Sequence, residues 1–217
     1  NSGHIDYVGF GNHDVQTDGS EINYSAPIPV GGVTAPVSGP AGEPDEHNYS
    51  FDYGNVHFAT FDTNRRNSGS TLEDQLLWLE ADLAATSATW KVVFGHHPVT
   101  GSPDKPESAA DNYYQQVVPR LRAVGVDMLL MGHSHLYHRT YPLLGEVNGV
   151  ETFLLDNDDS YDQGAGLVQV VAGTGGKSLR DGDFGQFPFN AAGFSNDTIP
   201  VAEYGFAQID VTPDQLT

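Results

Sequence analysis

Residues 126–135 read Val-Asp-Met-Leu-Leu-Met-Gly-His-Ser-His. The run at 126–131 is short, rich in Val, Leu and Met, and lacks the alternation of a half-exposed strand. It suits a strand covered on both faces. The glycine after it lets the backbone turn sharply at the sheet edge. Two histidines follow, two residues apart. In extended backbone such side chains point to the same side, so His133 and His135 are expected to serve one metal or two adjacent ones.

The same ending recurs twice upstream. A run at 91–94 leads into Gly95-His96-His97-Pro98, and a run at 5–10 leads into Gly11-Asn12-His13-Asp14. Five of the nine histidines lie in these three clusters. In open α/β sheets, ligand sites gather outside the carboxyl ends of the strands. Imidazole nitrogen with amide or carboxylate oxygen favours zinc, iron or manganese over calcium. Cysteine is absent, which excludes thiolate ligands and a disulfide scaffold. Singly, each cluster has a plain structural reading: a chance His pair, a turn with Asn in left-handed conformation, or a strand end with stacked imidazoles. Three of them in succession, each after a strand, favour a metal site.

Further apolar runs predict strands at 56–61, 152–155, 167–172 and 206–211. Two helices separate the central runs. The first starts at Ser70 or Thr71, with Glu73 and Asp74 in its first turn and Leu72, Leu76, Leu79 and Leu83 on one face. The second covers about 112–124, with Tyr114, Val117, Val118, Leu121 and Val124 as its stripe and Gly125 as its stop. Strand, helix, strand, helix, strand indicates an α/β layered fold. The Pro- and Gly-rich stretch 26–46 reads as a long surface excursion, and the strands after about residue 150 as a closing β-rich sheet. We read 1–217 as a single domain.

The chain has 217 residues and a formal charge of −20, from 29 acidic and 9 basic side chains. Such a field repels nucleic acid and anionic membranes, so no nucleic-acid-binding surface is expected. It attracts cations, although a solubility role, in a secreted protein or one living in high salt, accounts for it more readily. No apolar run reaches the ~18 residues of a membrane span. The charge suits an extracellular or periplasmic protein.

Gly-Asn-His-Asp, a strand into Gly-His-x-Pro, and a strand into Gly-His-x-His together resemble the last three signatures of the calcineurin-like metallophosphoesterases. Residues 49–58 (Tyr-Ser-Phe-Asp-Tyr-Gly-Asn-Val-His-Phe) resemble that family's second-sheet hairpin, and 75–83 the helix before its middle histidine motif. His138-Arg139-Thr140-Tyr141-Pro142-Leu143 and Gly173-Thr174-Gly175-Gly176 are similar to the purple acid phosphatase branch. The resemblance implies a four-layer α/β/β/α sandwich and hydrolysis of phosphate mono- or diesters. In that reaction two divalent or trivalent transition metals (Fe, Zn or Mn), about 3.5–4 Å apart, clamp the phosphoryl oxygens and supply the nucleophile. Residue by residue, Asn12, His96 and His133 correspond to ligands of the second metal and His135 to a ligand of the first. His13 corresponds to the residue that contacts the phosphoryl group and protonates the leaving oxygen, and Asp14 to the acid that orients it. His97 and His138 are assigned to substrate, His138 equally to a supporting position.

The two earlier family signatures, which supply the bridging aspartate, are not found before Gly11. The fold is therefore expected to be N-terminally incomplete. The chain alone is expected to hold at most one metal, to be inactive, and to associate with its N-terminal portion or another chain. The alternative is an inactive module that keeps the fold and binds one metal or a phosphorylated partner. His57 is expected to be a packed strand residue. Asp156, Asp158, Asp159 and Asp162 are expected to form a solvated acidic turn.

Overall fold

The structure is a computed structural model that describes residues 11, 37–40, 48–63, 70–100, 113–147, 150–155, 161–183, 190–194 and 204–217. The strand expected at 5–10, together with Asn12, His13, Asp14 and the acidic residues 156, 158 and 159, lies outside the described residues.

The strands are β1 (Val37–Ser38), β2 (Tyr49–Tyr53), β3 (Val56–Thr60), β4 (Trp90–Phe94), β5 (Met128–Met131), β6 (Tyr137–Thr140), β7 (Leu143–Val147), β8 (Val150–Phe153), β9 (Val168–Ala172) and β10 (Asn190–Phe194). Helix α1 (Leu72–Ala85) joins β3 to β4, and α2 (Tyr113–Ala123) joins β4 to β5. Eight strands form one sheet in the order β1-β2-β3-β4-β5-β9-β6-β10, and β7-β8 form a separate pair. The four central strands, β3, β4, β5 and β9, are parallel, and antiparallel pairs flank them. This mixed sheet with helical crossovers is the α/β arrangement that the alternation of strands and helices predicts.

Side chains alternate across the sheet, and the two faces have separate cores. Ala59 and Phe61, Val93, Leu129 and Met131, and Val171 meet Leu76, Leu79 and Leu83 of α1 and Val117, Val118 and Leu121 of α2. The three α1 leucines and the three α2 residues are fully buried, each side chain stabilising the fold by about 1.5–3 kcal/mol. On the other face Val56, Trp90 and Val92 pack with Phe58, Met128, Leu130, Val211 and Leu216.

Local signals set the helix ends. The Thr71 hydroxyl accepts the Asp74 N–H at 3.2 Å, and the Asp74 carboxylate accepts the Thr71 N–H at 2.9 Å. This reciprocal box satisfies two otherwise unpaired donors. At the end of α2 the Gly125 N–H donates to Arg122 O and the Val126 N–H to Leu121 O, both at 3.0 Å. Gly125 has φ +79°, the left-handed stop of a Schellman motif. Arg120 ties the helices together, with both oxygens of Glu80 and one of Glu73 accepting its N–H groups at 2.6 Å.

Four expectations change. The hairpin β2-β3 belongs to the main sheet rather than to a second one, because β3 pairs in parallel with β4. The stretch 26–46 contributes Val37–Ser38 as an edge strand against β2. The last described segment forms no strand at 206–211; only an isolated bridge joins Val211 to Leu216. The strands after residue 150 split, β8 pairing with β7 while β9 and β10 enter the main sheet. Long-range pairing decides such placements, and apolar runs alone do not specify a partner.

Candidate metal centre

Parallel pairing brings the carboxyl ends of β3, β4, β5 and β9 to one edge of the sheet. The ladder continues past the strands into the glycine–histidine clusters. The Gly95 N–H donates to Leu130 O at 3.0 Å, and the Gly132 N–H to His96 O at 2.9 Å. A Cβ on Gly95 would stand 3.2 Å from Thr63 Cγ2 and 3.4 Å from Phe61 O, so the approach of β3 explains the glycine. Thr60 is in register with Phe94, and Phe94 with Leu130. Thr63, His97 and His133 each follow by three residues, and the Thr63 hydroxyl accepts the His97 backbone N–H at 2.9 Å.

The imidazoles of His96, His97 and His133 gather there. One nitrogen from each lies within 4.8 Å of the others. His133 Nδ1 is 3.2 Å from His96 Nε2. Two lone pairs aimed at one tetrahedral zinc at 2.0–2.1 Å stand ~3.3 Å apart, so this pair fits a shared cation. The rings of His97 and His133 have centroids 4.3 Å apart, and those of His96 and His97 cross at 90° with centroids at 4.8 Å.

His133 has φ +65°, the one non-glycine residue so placed among those described. The Ser134 N–H donates to Gly132 O at 2.7 Å, closing a three-residue turn of a rare and strained type. The extended backbone expected at Gly-His-x-His is therefore absent, and the two histidines go to different partners. His133 meets His96, whereas the ring of His135 has Nδ1 3.0 Å from Ser178 O. With Nδ1–H donated to that carbonyl, His135 presents Nε2 outward. His135 stands outside the three-histidine group.

His138 is fully buried on β6, opposite Val171 and Gly193. His57, the packed strand residue expected, is buried between Asp52 and Asp82.

Three contributors were not expected from sequence. Thr63 approaches His97 twice, at Nδ1 and at the backbone N–H, both at 2.9 Å. Ser178 orients His135, and the Arg180 N–H donates to His135 O at 3.0 Å. Gly173 lets β9 close against the turn, since a Cβ there would stand 1.7 Å from Ser134 O. The glycine run 173–176 was visible, but its packing partner was not. Nothing in the pattern set Thr63 apart from any polar residue after a strand.

Similarities to known proteins agree with this geometry. The family model for calcineurin-like phosphoesterase matches residues 3–137. An acid phosphatase of Aspergillus ficuum is 27% identical over 214 residues, covering 75% of this chain and 33% of its own length. Purple acid phosphatase 18 of Arabidopsis thaliana is 32% identical over 95 residues, covering 42% of this chain and 21% of its own. Among solved structures, a purple acid phosphatase from yellow lupin (Lupinus luteus) seeds superposes with a TM-score of 0.53 at 20% identity, over 71% of this chain and 28% of its own. The chain thus spans a third or less of the length of these relatives. No helix among the described residues is long and apolar enough to cross a membrane. With the model matching well over half of its residues, the chain belongs to the calcineurin-like phosphoesterase family, and its similarities lie with the purple acid phosphatase branch.

Proposed function

We propose that the protein containing this chain hydrolyses phosphate mono- or diesters at a two-metal site, in an extracellular or periplasmic setting. The observation that carries this reading is the 3.2 Å approach of His133 Nδ1 to His96 Nε2 at the carboxyl edge of parallel strands. Asn12, His96 and His133 hold one metal, and His135, oriented by the Ser178 carbonyl, holds the other through Nε2. When bound, iron, zinc or manganese supplies Lewis-acid polarisation of the phosphoryl oxygen and lowers the pKa of bound water.

The chain's own residues then position and protonate. His13 contacts the phosphoryl group and donates a proton to the leaving oxygen, a contribution of ~10²–10⁴-fold. Asp14 orients it. The turn at His133 fixes the direction in which that imidazole enters the site. The substrate's negative charge meets a chain of net charge −20, so the bound cations carry the electrostatic attraction.

The test is hydrolysis of p-nitrophenyl phosphate and bis(p-nitrophenyl) phosphate by the protein containing this chain, before and after chelation and metal return. His13→Ala is expected to lower kcat by ~10²–10⁴-fold with metal content unchanged. His133→Ala is expected to lose metal and turnover together. Turnover that survives complete chelation, or loss of metal in the His13 variant, refutes these assignments.

A further inference from the structure

We propose that His97 is a metal ligand beside His96 and His133, and that Thr63 is the positioning residue that makes it one. This rests on the reading of the site as a metal centre, and it moves His97 from the substrate, where the sequence put it, to the cation.

The register explains why the two residues meet. Thr63 lies three residues beyond the Thr60–Phe94 pair, and His97 three beyond Phe94. The Thr63 hydroxyl accepts the His97 backbone N–H at 2.9 Å and lies 2.9 Å from His97 Nδ1. A hydroxyl oxygen has two lone pairs, so Oγ1, which already accepts the backbone N–H, has room to accept Nδ1–H as well, and we assign that tautomer to His97. That tautomer leaves the lone pair on Nε2, the form in which a histidine binds a metal. Thr63 is almost fully buried, at 4% exposure, so water does not compete for the contact. Its methyl group, Cγ2, lies 3.2 Å from where a Cβ on Gly95 would stand.

The ring is then held in two ways: its backbone N–H and its Nδ1 are anchored on one atom. One ring nitrogen of His97 falls in the group whose members lie within 4.8 Å of one another, and we assign that place to Nε2. Three imidazoles form a ligand set that holds zinc, with the fourth position left to the Asn12 amide of the proposed site. Partners of this kind, standing behind a ligand, typically account for 10–100-fold in metal affinity.

The experiment is a zinc titration of the chain against a chromophoric chelator, with the cobalt(II) d–d spectrum as a second reading. His97→Ala and His97→Gln are expected to weaken zinc at least tenfold and to change the cobalt band. Thr63→Val, which keeps shape but accepts no hydrogen bond, is expected to weaken zinc ~10–100-fold and to shift the band the same way. Thr63→Ser is expected to restore both, and Thr63→Val with His97→Ala to be no weaker than His97→Ala alone. Zinc affinity and a cobalt spectrum unchanged in either His97 variant overturn the assignment of the ligand. Equal losses in Thr63→Val and Thr63→Ser, or additive losses in the double variant, overturn the role of Thr63. Zinc binding that follows this pattern in a protein without phosphatase turnover would sink the phosphoesterase reading alone. Turnover with unchanged metal binding in the His97 variants would sink this inference alone.

Discussion

Replacing Asp82 by Asn tests the charge network that fastens the β2-β3 hairpin to α1. His57, at 6% exposure, has Nδ1 2.7 Å from Asp52 Oδ1 and Nε2 2.8 Å from Asp82 Oδ2. Asp82 Oδ1 also accepts the Ser50 hydroxyl at 2.9 Å. Burial opposes a charge on His57. The hydrogen bonds and negative charges of Asp82 and Asp52 outweigh that effect, and its pKa is raised above the ordinary 6.5. The imidazolium therefore contributes stability that is fully present below pH 6.5 and is lost as pH rises through the folded-state value. In Asp82→Asn the amide oxygen still accepts from Ser50, and the amide N–H₂ faces Nε2. A neutral His57 accepts that donor, with Nδ1–H given to Asp52, whereas a charged His57 has a proton there and meets it as a clash of donors. A charge-assisted hydrogen bond contributes about 1.5–3 kcal/mol. The Asp52 side chain is 50% exposed and Asp82 13%, so water takes over part of the loss. We expect a cost of about 1–2 kcal/mol at pH 5, or ~2–8 °C in Tm for a chain of this size, shrinking toward zero at pH 8–9. Urea denaturation of wild type and variant across pH 5–9 measures it. A penalty that is flat with pH, or that grows as pH rises, refutes the reasoning.

Other substitutions probe the frame around the site. Thr71→Ala removes the capping hydroxyl of α1 and is expected to cost about 1 kcal/mol by chemical denaturation, with no change in zinc affinity. Gly173→Ala puts a Cβ where Ser134 O stands at 1.7 Å; it is expected to lose about 3 kcal/mol and to weaken metal binding by displacing the 132–135 turn, read by melting and zinc titration together. His133→Asn keeps a residue that tolerates φ +65°, so without metal it is expected to melt no lower than wild type while zinc affinity falls. A metal-free melting point clearly below wild type would show that His133 packs rather than strains.

Some of this was encoded within a few neighbouring residues. The strand endings before His96 and His133 were legible because an apolar run followed by Gly and His constrains the chain locally. Helix α1 begins at Thr71 and α2 stops at Gly125 for the same reason: a capping hydroxyl and a left-handed glycine act over one turn. The leucine stripe of α1 was equally plain, since helical periodicity needs no distant partner. What sequence left open depends on partners far along the chain. The insertion of β9 between β5 and β6 follows from burial of both faces of Val168–Ala172, which no local pattern ties to a neighbour. The runs 152–155 and 206–211 looked alike, and only pairing with β7 put a strand at the first, shifted to Val150–Phe153. The turn at His133 defeats an argument from alternation, because the Ser134 N–H finds Gly132 O instead of a partner strand. Thr63 reaches His97 across 34 residues only through the parallel register of β3 and β4. Tertiary structure decided that contact because hydrogen bonds between strands set the register, and the register sets which side chains share a row at the sheet's edge.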